Sequence, residues 1–90
     1  MITNHPSLFV EINKYEYIFV VTTLNENDNF ELIHSTQVPL EGINNSKITD
    51  LNLVNKIIKE NIYKIERKLD YIFKEAIIII NNFNLFSISI

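Results

Sequence analysis

Short apolar runs separated by polar segments predict three β-strands in the first half of the chain. Residues 8–12, 17–23 and 30–38 are rich in β-branched and aromatic residues and are too short for helices. Residues 13–16 and 25–29 are polar, and Asn and Asp in them tolerate turn conformations. The pattern therefore indicates a β-hairpin followed by a second turn and a third strand.

The third strand is predicted to be half buried and to end at a loop. Alternation places one set of its residues on one face, namely Phe30, Leu32, His34, Thr36 and Val38. Pro39 cannot donate a hydrogen bond to a neighbouring strand, and Gly42 permits dihedral angles that other residues avoid. Residues 39–48 are therefore predicted to form an ordered loop.

An amphipathic helix is predicted over residues 51–70. Its apolar residues recur at steps of three or four, with one adjacent pair: Leu51, Val54, Ile57, Ile58, Ile62, Ile65, Leu69 and Ile72. Thr49 or Asp50 can cap the first free amides, and Arg67 and Lys68 complement the helix dipole near its end.

A continuous apolar run, residues 76–80, predicts a fourth strand after the helix. Runs of this kind are typical of strands that are covered on both faces. A helix between two strands implies a crossover, which would place residues 76–80 parallel to an earlier strand. The expected fold is α/β, with β-β-β-α-β order, a mixed sheet and one long helix on one face.

The end of the sequence indicates that residues 1–90 are a single, partial domain. Residues 83–90 alternate like the start of a further strand, and no capping element follows them. We therefore expect this last strand to be truncated, or to need a partner strand.

Composition narrows the classes of function. A net charge of −3 and an isoelectric point near 5.2 argue against nucleic acid as a partner. The absence of cysteine excludes thiolate nucleophiles and thiolate metal sites. The longest uncharged stretch, residues 76–90, is too short and too polar to span a membrane. The N-terminus has no Lys or Arg before Lys14 and no small-residue cleavage site, so it is not expected to be a secretory signal. A cytoplasmic protein without direct membrane insertion is expected.

Few residues suggest catalytic chemistry. Glu11 lies within a predicted central strand, and it is either a site carboxylate or a solvated residue at the strand's C-terminal edge. His5 and His34 lack the spacing of zinc ligands, and no serine lies in a glycine-flanked nucleophile motif. The single glycine leaves no room for a Walker loop or a GxGxxG turn. We therefore expect no enzyme activity and no metal.

Two further groups of side chains leave alternatives open. Tyr63, Tyr71 and Phe73 are either partner-binding aromatics or part of the core. The lysines at 56, 59 and 68 either meet an acidic lipid or partner, or form a solvated helix face.

The segment from Val38 to Asp50 resembles a segment of FtsA, the actin-like bacterial cell-division protein. In that family it reads roughly V-P-x-x-G-I-x-x-G-x-I-x-D before the first helix. Without a gap, the matching positions are Pro39, Gly42, Ile43, Ile48 and Asp50. The flanking strands, the helix and the run 76–80 are also similar, so that the resemblance covers about residues 8–85.

This resemblance implies an RNase H-like half-subdomain of the actin/Hsp70-type ATPase fold. The family's phosphate-contacting loop, D-I-G-T-[ST]-K, falls on residues 11–16 of this sequence. The candidate cofactor-binding residues are therefore Glu11, Asn13, Lys14 and Glu16. The family's glycine is replaced by Asn13 and its lysine by Glu16, and the reversed charge is expected to repel an anion. The loop is thus expected to be degenerate, and ATP binding would require the rest of an FtsA-like protein.

As a function, the resemblance implies a fragment of a divisome scaffold. Its partners would be FtsZ and other FtsA copies, mostly through regions absent from this sequence, at the inner face of the cell membrane. A second hypothesis is a free-standing α/β module that pairs with a partner protein through its C-terminal strand. A third is a metal nuclease that uses Glu11, with Glu31 and Glu75 as the other available carboxylates.

Overall fold

The computed structural model describes residues 5–45 and 47–80 and has an α/β fold. Its helix and strands, in chain order, are β1 (Ser7–Ile12), β2 (Glu16–Leu24), β3 (Phe30–Pro39), β4 (Ile43–Asn44), β5 (Lys47–Ile48), α1 (Leu51–Leu69) and β6 (Ile77–Ile80). The helix and the four strands predicted over residues 8–12, 17–23, 30–38 and 76–80 are present in this order.

Four of the strands form one mixed sheet in the order β3-β2-β1-β6. β2 is antiparallel to both β1 and β3, and its residue Val20 pairs with Phe9 of β1. On its other side β1 is parallel to β6, and there Phe9 pairs with Ile77. The predicted crossover is therefore confirmed, because α1 connects β3 to a strand that lies parallel beside β1.

The core lies between this sheet and α1. Alternate residues of β1 and β2 are buried on one face, and those with less than 2% exposure are Leu8, Val10, Tyr17, Phe19 and Val21. They cluster with Val54, Ile57 and Ile65, which lie on one stripe of the helix at helical spacing. Burial of such side chains stabilises the fold by roughly 1.5–3 kcal/mol each. One helix on one face is thus as predicted.

α1 is capped at both ends, by Asp50 at its N-terminus and by Asp70 at its C-terminus. The Asp50 carboxylate accepts a hydrogen bond from the amide of Leu53 at 3.0 Å, so Asp50 rather than Thr49 is the N-cap. At the other end Asp70 adopts a left-handed conformation with φ of 53°. The helix therefore ends one residue before its predicted end.

β6 is less covered than its sequence predicts. It is an edge strand of the sheet within the described residues, and Ile77, Ile78 and Ile79 are 49%, 50% and 45% exposed. The expectation that both faces of this strand are covered is wrong. Residues 83–90, where a further strand was predicted, lie outside the described residues.

An irregularity in β3 breaks its predicted alternation. Val21 pairs with His34 but Thr22 pairs with Leu32, so that Ile33 has no partner in register. Ile33 packs against the core, whereas Leu32 is 66% exposed. Phe30 is 72% exposed as well, and the predicted common face therefore holds only for the positions from His34 onward.

The predicted loop 39–48 contains a small hairpin. Ile43 pairs with Ile48 and Asn44 with Lys47 in the two-residue strands β4 and β5. Asn45 in the turn has a positive φ of 50°. This hairpin leads directly into the N-terminus of α1.

Candidate functional site

The loop between β1 and β2, residues 13–16, lies where ligands bind in many α/β folds. β1 and β6 are parallel, and Ile12 at the end of β1 pairs with Ile80 at the end of β6. The carboxyl ends of both strands therefore meet at the sheet edge that carries this loop. Crevices at this edge are the usual place for phosphate-bearing ligands.

The side chain of Asn13 accepts hydrogen bonds from two backbone amides of this loop. Its carbonyl oxygen accepts hydrogen bonds from the backbone amides of Tyr15 at 2.8 Å and Glu16 at 2.9 Å. The Asn13 amide in turn donates to the Glu16 carbonyl at 3.1 Å. A phosphate loop offers such amides to a phosphate oxygen. Here the side-chain oxygen of Asn13, and not a phosphate oxygen, accepts the hydrogen bonds of these amides, as in an Asx-turn.

Charges near the loop are mostly negative. Glu11 is half-buried and pairs in register with Ile18 of β2 and Ile79 of β6, on the face of the sheet away from α1. Glu16, half-buried at the start of β2, is on the same face by alternation, while Lys14 is exposed. Two carboxylates with one exposed ammonium disfavour an anion at this position.

The three carboxylates of the nuclease hypothesis do not come together. Glu31 pairs with Thr23 on β3, and Glu75 immediately precedes β6. Both positions lie toward the end of the sheet where β1 begins, and along the strands Glu75 is about 13 Å and Glu31 about 16 Å from Glu11. Among the described residues no group of three or more His, Cys, Asp or Glu side chains is placed to hold a metal ion.

The segment after β3 is held by packing against β2 and α1. The hydroxyl of Tyr17, which is fully buried, donates a hydrogen bond of 2.5 Å to the Glu41 carbonyl. Burial, followed by the charge of Glu41, raises the pKa of Tyr17. Gly42 has a φ of 82°, and its carbonyl accepts from the amides of Thr49 and Asp50. Through these hydrogen bonds, Gly42 of the P-x-x-G-I pattern fixes the segment after β3 to the N-terminus of α1.

The aromatic residues near the end of α1 divide between core and surface. Phe73 packs against the core and contacts the ring of Tyr71 edge-to-face at 5.1 Å between centroids. Tyr63 is 59% exposed and lies under the guanidinium of Arg67 at 5.6 Å.

The predicted lysine face of α1 is solvent-exposed at all three of its positions, Lys56, Lys59 and Lys68. Lys56 lies 4.0 Å from Glu60 one helical turn away, an exposed pair that contributes little to stability.

The sequence predicts a turn at residues 13–16, which is confirmed, and a degenerate phosphate loop there, which stays a prediction; the role of Asn13 within the turn was missed. The signal was present, because Asn at a hairpin commonly bonds the amides two and three residues further on. It was interpreted only as the loss of a glycine.

The protein that these elements define has an α/β fold with a mixed four-stranded sheet and one helix, and with a capped hairpin loop at the carboxyl edge of its parallel strands. No family model, no curated protein and no solved structure matches the chain. In the part of the chain that the structure describes, no helix is both long and apolar enough to cross a membrane.

Proposed function

We propose that this chain is part of an FtsA-like cell-division scaffold with an RNase H-like half-subdomain of the actin/Hsp70-type fold. The observation that carries the proposal is the strand order β3-β2-β1-β6, with β6 parallel beside β1 after a single helix. An antiparallel meander would have been incompatible with this subdomain. The position of Gly42 at the base of α1 also supports the likeness in the segment 38–50.

In this proposal the chain binds partners and has no catalytic activity. The nucleotide loop is degenerate, because Asn13 accepts the amide hydrogen bonds and Glu11 and Glu16 add negative charge. Its partners are FtsZ and further FtsA-like copies, contacted mostly through regions outside these 90 residues, and its place is the inner face of the cell membrane. Binding of ATP depends on the second half of the cleft, which these residues do not include.

Localisation in dividing cells of the source organism tests the scaffold role. Because the proposal places most contacts with FtsZ outside these 90 residues, the fluorescent fusion is made with the whole protein that contains them, and it is expected to form a band at midcell and to disperse when FtsZ is depleted. Gly42→Val is expected to displace α1, because its side chain would clash with Val54, and thus to abolish the band. The control variant Lys64→Ala, on the exposed face of the helix, should retain the band. Uniform fluorescence of an intact, folded fusion in dividing cells would contradict the proposal.

Nucleotide titration tests the degenerate loop separately. A fluorescent ATP analogue with Mg²⁺ is expected to give no saturable signal with the purified chain up to millimolar concentration. Saturable binding in the micromolar range that Lys14→Ala weakens would show that the loop still contacts phosphate.

A second candidate function is a partner-binding module that accepts a further strand at β6. Three consecutive isoleucines of β6 are about half exposed, β6 is the edge strand among the described residues, and it carries no charge that would discourage pairing. Addition of a strand there would use backbone hydrogen bonds and apolar pockets. This favours association through β6, whereas the sequence-based hypothesis placed the pairing in residues 83–90, which lie outside the described residues.

Sedimentation velocity distinguishes this candidate from the scaffold proposal. Self-association that Ile78→Lys abolishes, with unchanged circular dichroism, is expected if the edge recruits a second copy. If the chain sediments as a monomer over the whole micromolar range, self-pairing through this edge is excluded. That result would not bear on the midcell experiment.

A further inference from the structure

A cavity lies at the end of the sheet opposite the hairpin loop. It has a volume of about 510 Å³ and is bounded by the residues that precede β1 and by the segment that joins α1 to β6. Ligand sites typically measure 300–1,000 Å³. The cavity is therefore large enough for a small organic molecule, and it is separate from residues 13–16.

The apolar wall of this cavity is held in place by its neighbours. Leu8 is buried, and Phe73 and Tyr71 form the edge-to-face pair. The Phe73 amide donates to the Glu66 carboxylate at 2.9 Å, which fixes the connecting segment to the helix. The ring nitrogen Nδ1 of His5 lies 3.3 Å from the Tyr71 hydroxyl and ties the segment before β1 to the same wall.

Two opposite charges line the cavity beside this wall. Lys74 and Glu75 are both exposed and both contribute to the lining. The structure records no ion pair or side-chain hydrogen bond for either residue among the described residues. Both charges are thus available to a ligand, beside the apolar side chains of Phe73 and Ile77.

We propose that this cavity binds an α-amino acid with an apolar side chain. An amino acid carries a carboxylate and an ammonium group on the same carbon, which match Lys74 and Glu75. The apolar side chain of the amino acid would contact Phe73 and Ile77, and its removal from water would contribute to affinity. A ligand with only one charge would leave one of the two protein charges without a counter-charge. The inference is independent of the scaffold proposal.

Titration of the full chain with L-phenylalanine, followed by two-dimensional amide NMR, tests the proposal. For a ligand of this size in an open cavity, we expect a dissociation constant on the order of 1 mM. Saturable shifts should centre on residues 5–8 and 71–77. Lys74→Met and Glu75→Gln are each expected to weaken binding about fivefold to tenfold. The matched substitutions Lys64→Met and Glu60→Gln, on the exposed face of α1, should leave binding unchanged.

Two analogues separate amino-acid recognition from unspecific apolar binding. Phenylacetate lacks the ammonium group and phenethylamine lacks the carboxylate, and each is expected to bind at least fivefold more weakly than L-phenylalanine. Equal binding of either analogue, or no saturable shifts around the cavity, would overturn the proposal. Binding that appears only after removal of residues 1–4 would also overturn it, since the chain itself would then be the occupant.

Discussion

Replacement of the single glycine by alanine should strongly destabilise the protein. Gly42 has a φ of 82°, a region that residues with a Cβ atom rarely adopt. A Cβ atom there would lie 2.8 Å from Cγ2 of Val54 and 3.0 Å from the carbonyl oxygen of Asp50. The second of these atoms belongs to the backbone of the helix N-cap and cannot move without disturbing the helix.

The magnitude follows from three contributions. The left-handed backbone costs about 1–2 kcal/mol for a residue other than glycine. Overpacking against Val54, which is only 4% exposed, adds about 1–3 kcal/mol. Alanine restricts the unfolded chain, which offsets about 0.4–1 kcal/mol of this cost. We therefore expect Gly42→Ala to lower the free energy of unfolding by about 2–4 kcal/mol.

Urea denaturation, followed by circular dichroism, measures this loss directly. With a slope of about 1 kcal/mol per molar urea, the midpoint should fall by roughly 2–4 M. Asn45→Ala is the matched control, because Asn45 also has a positive φ but is exposed. This variant should show only the part of the destabilisation that comes from the left-handed backbone, without the overpacking. Val54→Ala should cost less in the Gly42→Ala background than alone, since it removes the contacting methyl group. A Gly42→Ala variant within 0.5 kcal/mol of the parent would refute this reasoning.

Three other perturbations test the loop, the buried tyrosine and the histidine. Asn13→Ala should lower the free energy of unfolding by about 1 kcal/mol in urea titrations, because two loop amides lose their acceptor; an unchanged midpoint would show that water replaces it without cost. Tyr17→Phe should cost about 1–2 kcal/mol, since the Glu41 carbonyl loses its donor. Burial raises the pKa of Tyr17 above 10.0, so in the parent this residue's contribution is complete below pH 10 and declines as the pH rises above it, a decline that the Phe variant should lack. Burial and, secondarily, Lys68 lower the pKa of His34 below 6.5, so stability should fall as the pH drops from 6.5 through that lowered pKa; His34→Gln should flatten this dependence, and an unchanged profile would contradict it.

The elements of the fold were predictable from local patterns. α1 contains seven of the eight apolar positions that recur at helical spacing, and a residue with a short carboxylate, Asp50, precedes its first residue. β1 and β2 are rich in β-branched and aromatic residues, and the Asn-rich turns separate them from their neighbours. These signals arise within a few residues, so a single sequence is sufficient to recognise them.

Features that depend on neighbouring strands were less accessible. The irregularity at Ile33 leaves no trace in the sequence, because an extra residue in β3 is apparent only once its pairing with β2 is known. The four isoleucines of β6 have the pattern of a covered strand, but burial also requires an element on the outer side. In the candidate site, the turn between β1 and β2 was predictable from its polar residues, whereas the hydrogen bonds of Asn13 depend on the exact geometry of that turn.

The parallel pairing of β1 with β6 has a consequence for synthesis of the protein. During translation β1 can pair with β2 as soon as the first hairpin leaves the ribosome. The other edge of β1 stays unpaired until β6, which follows the helix, has been synthesised. Closing so long a loop is entropically costly, and nascent chains with such an open interior edge are prone to wrong pairing. The growing polypeptide is therefore most vulnerable to aggregation in the interval between emergence of Phe9 and emergence of Ile77, when shielding by a chaperone would matter most.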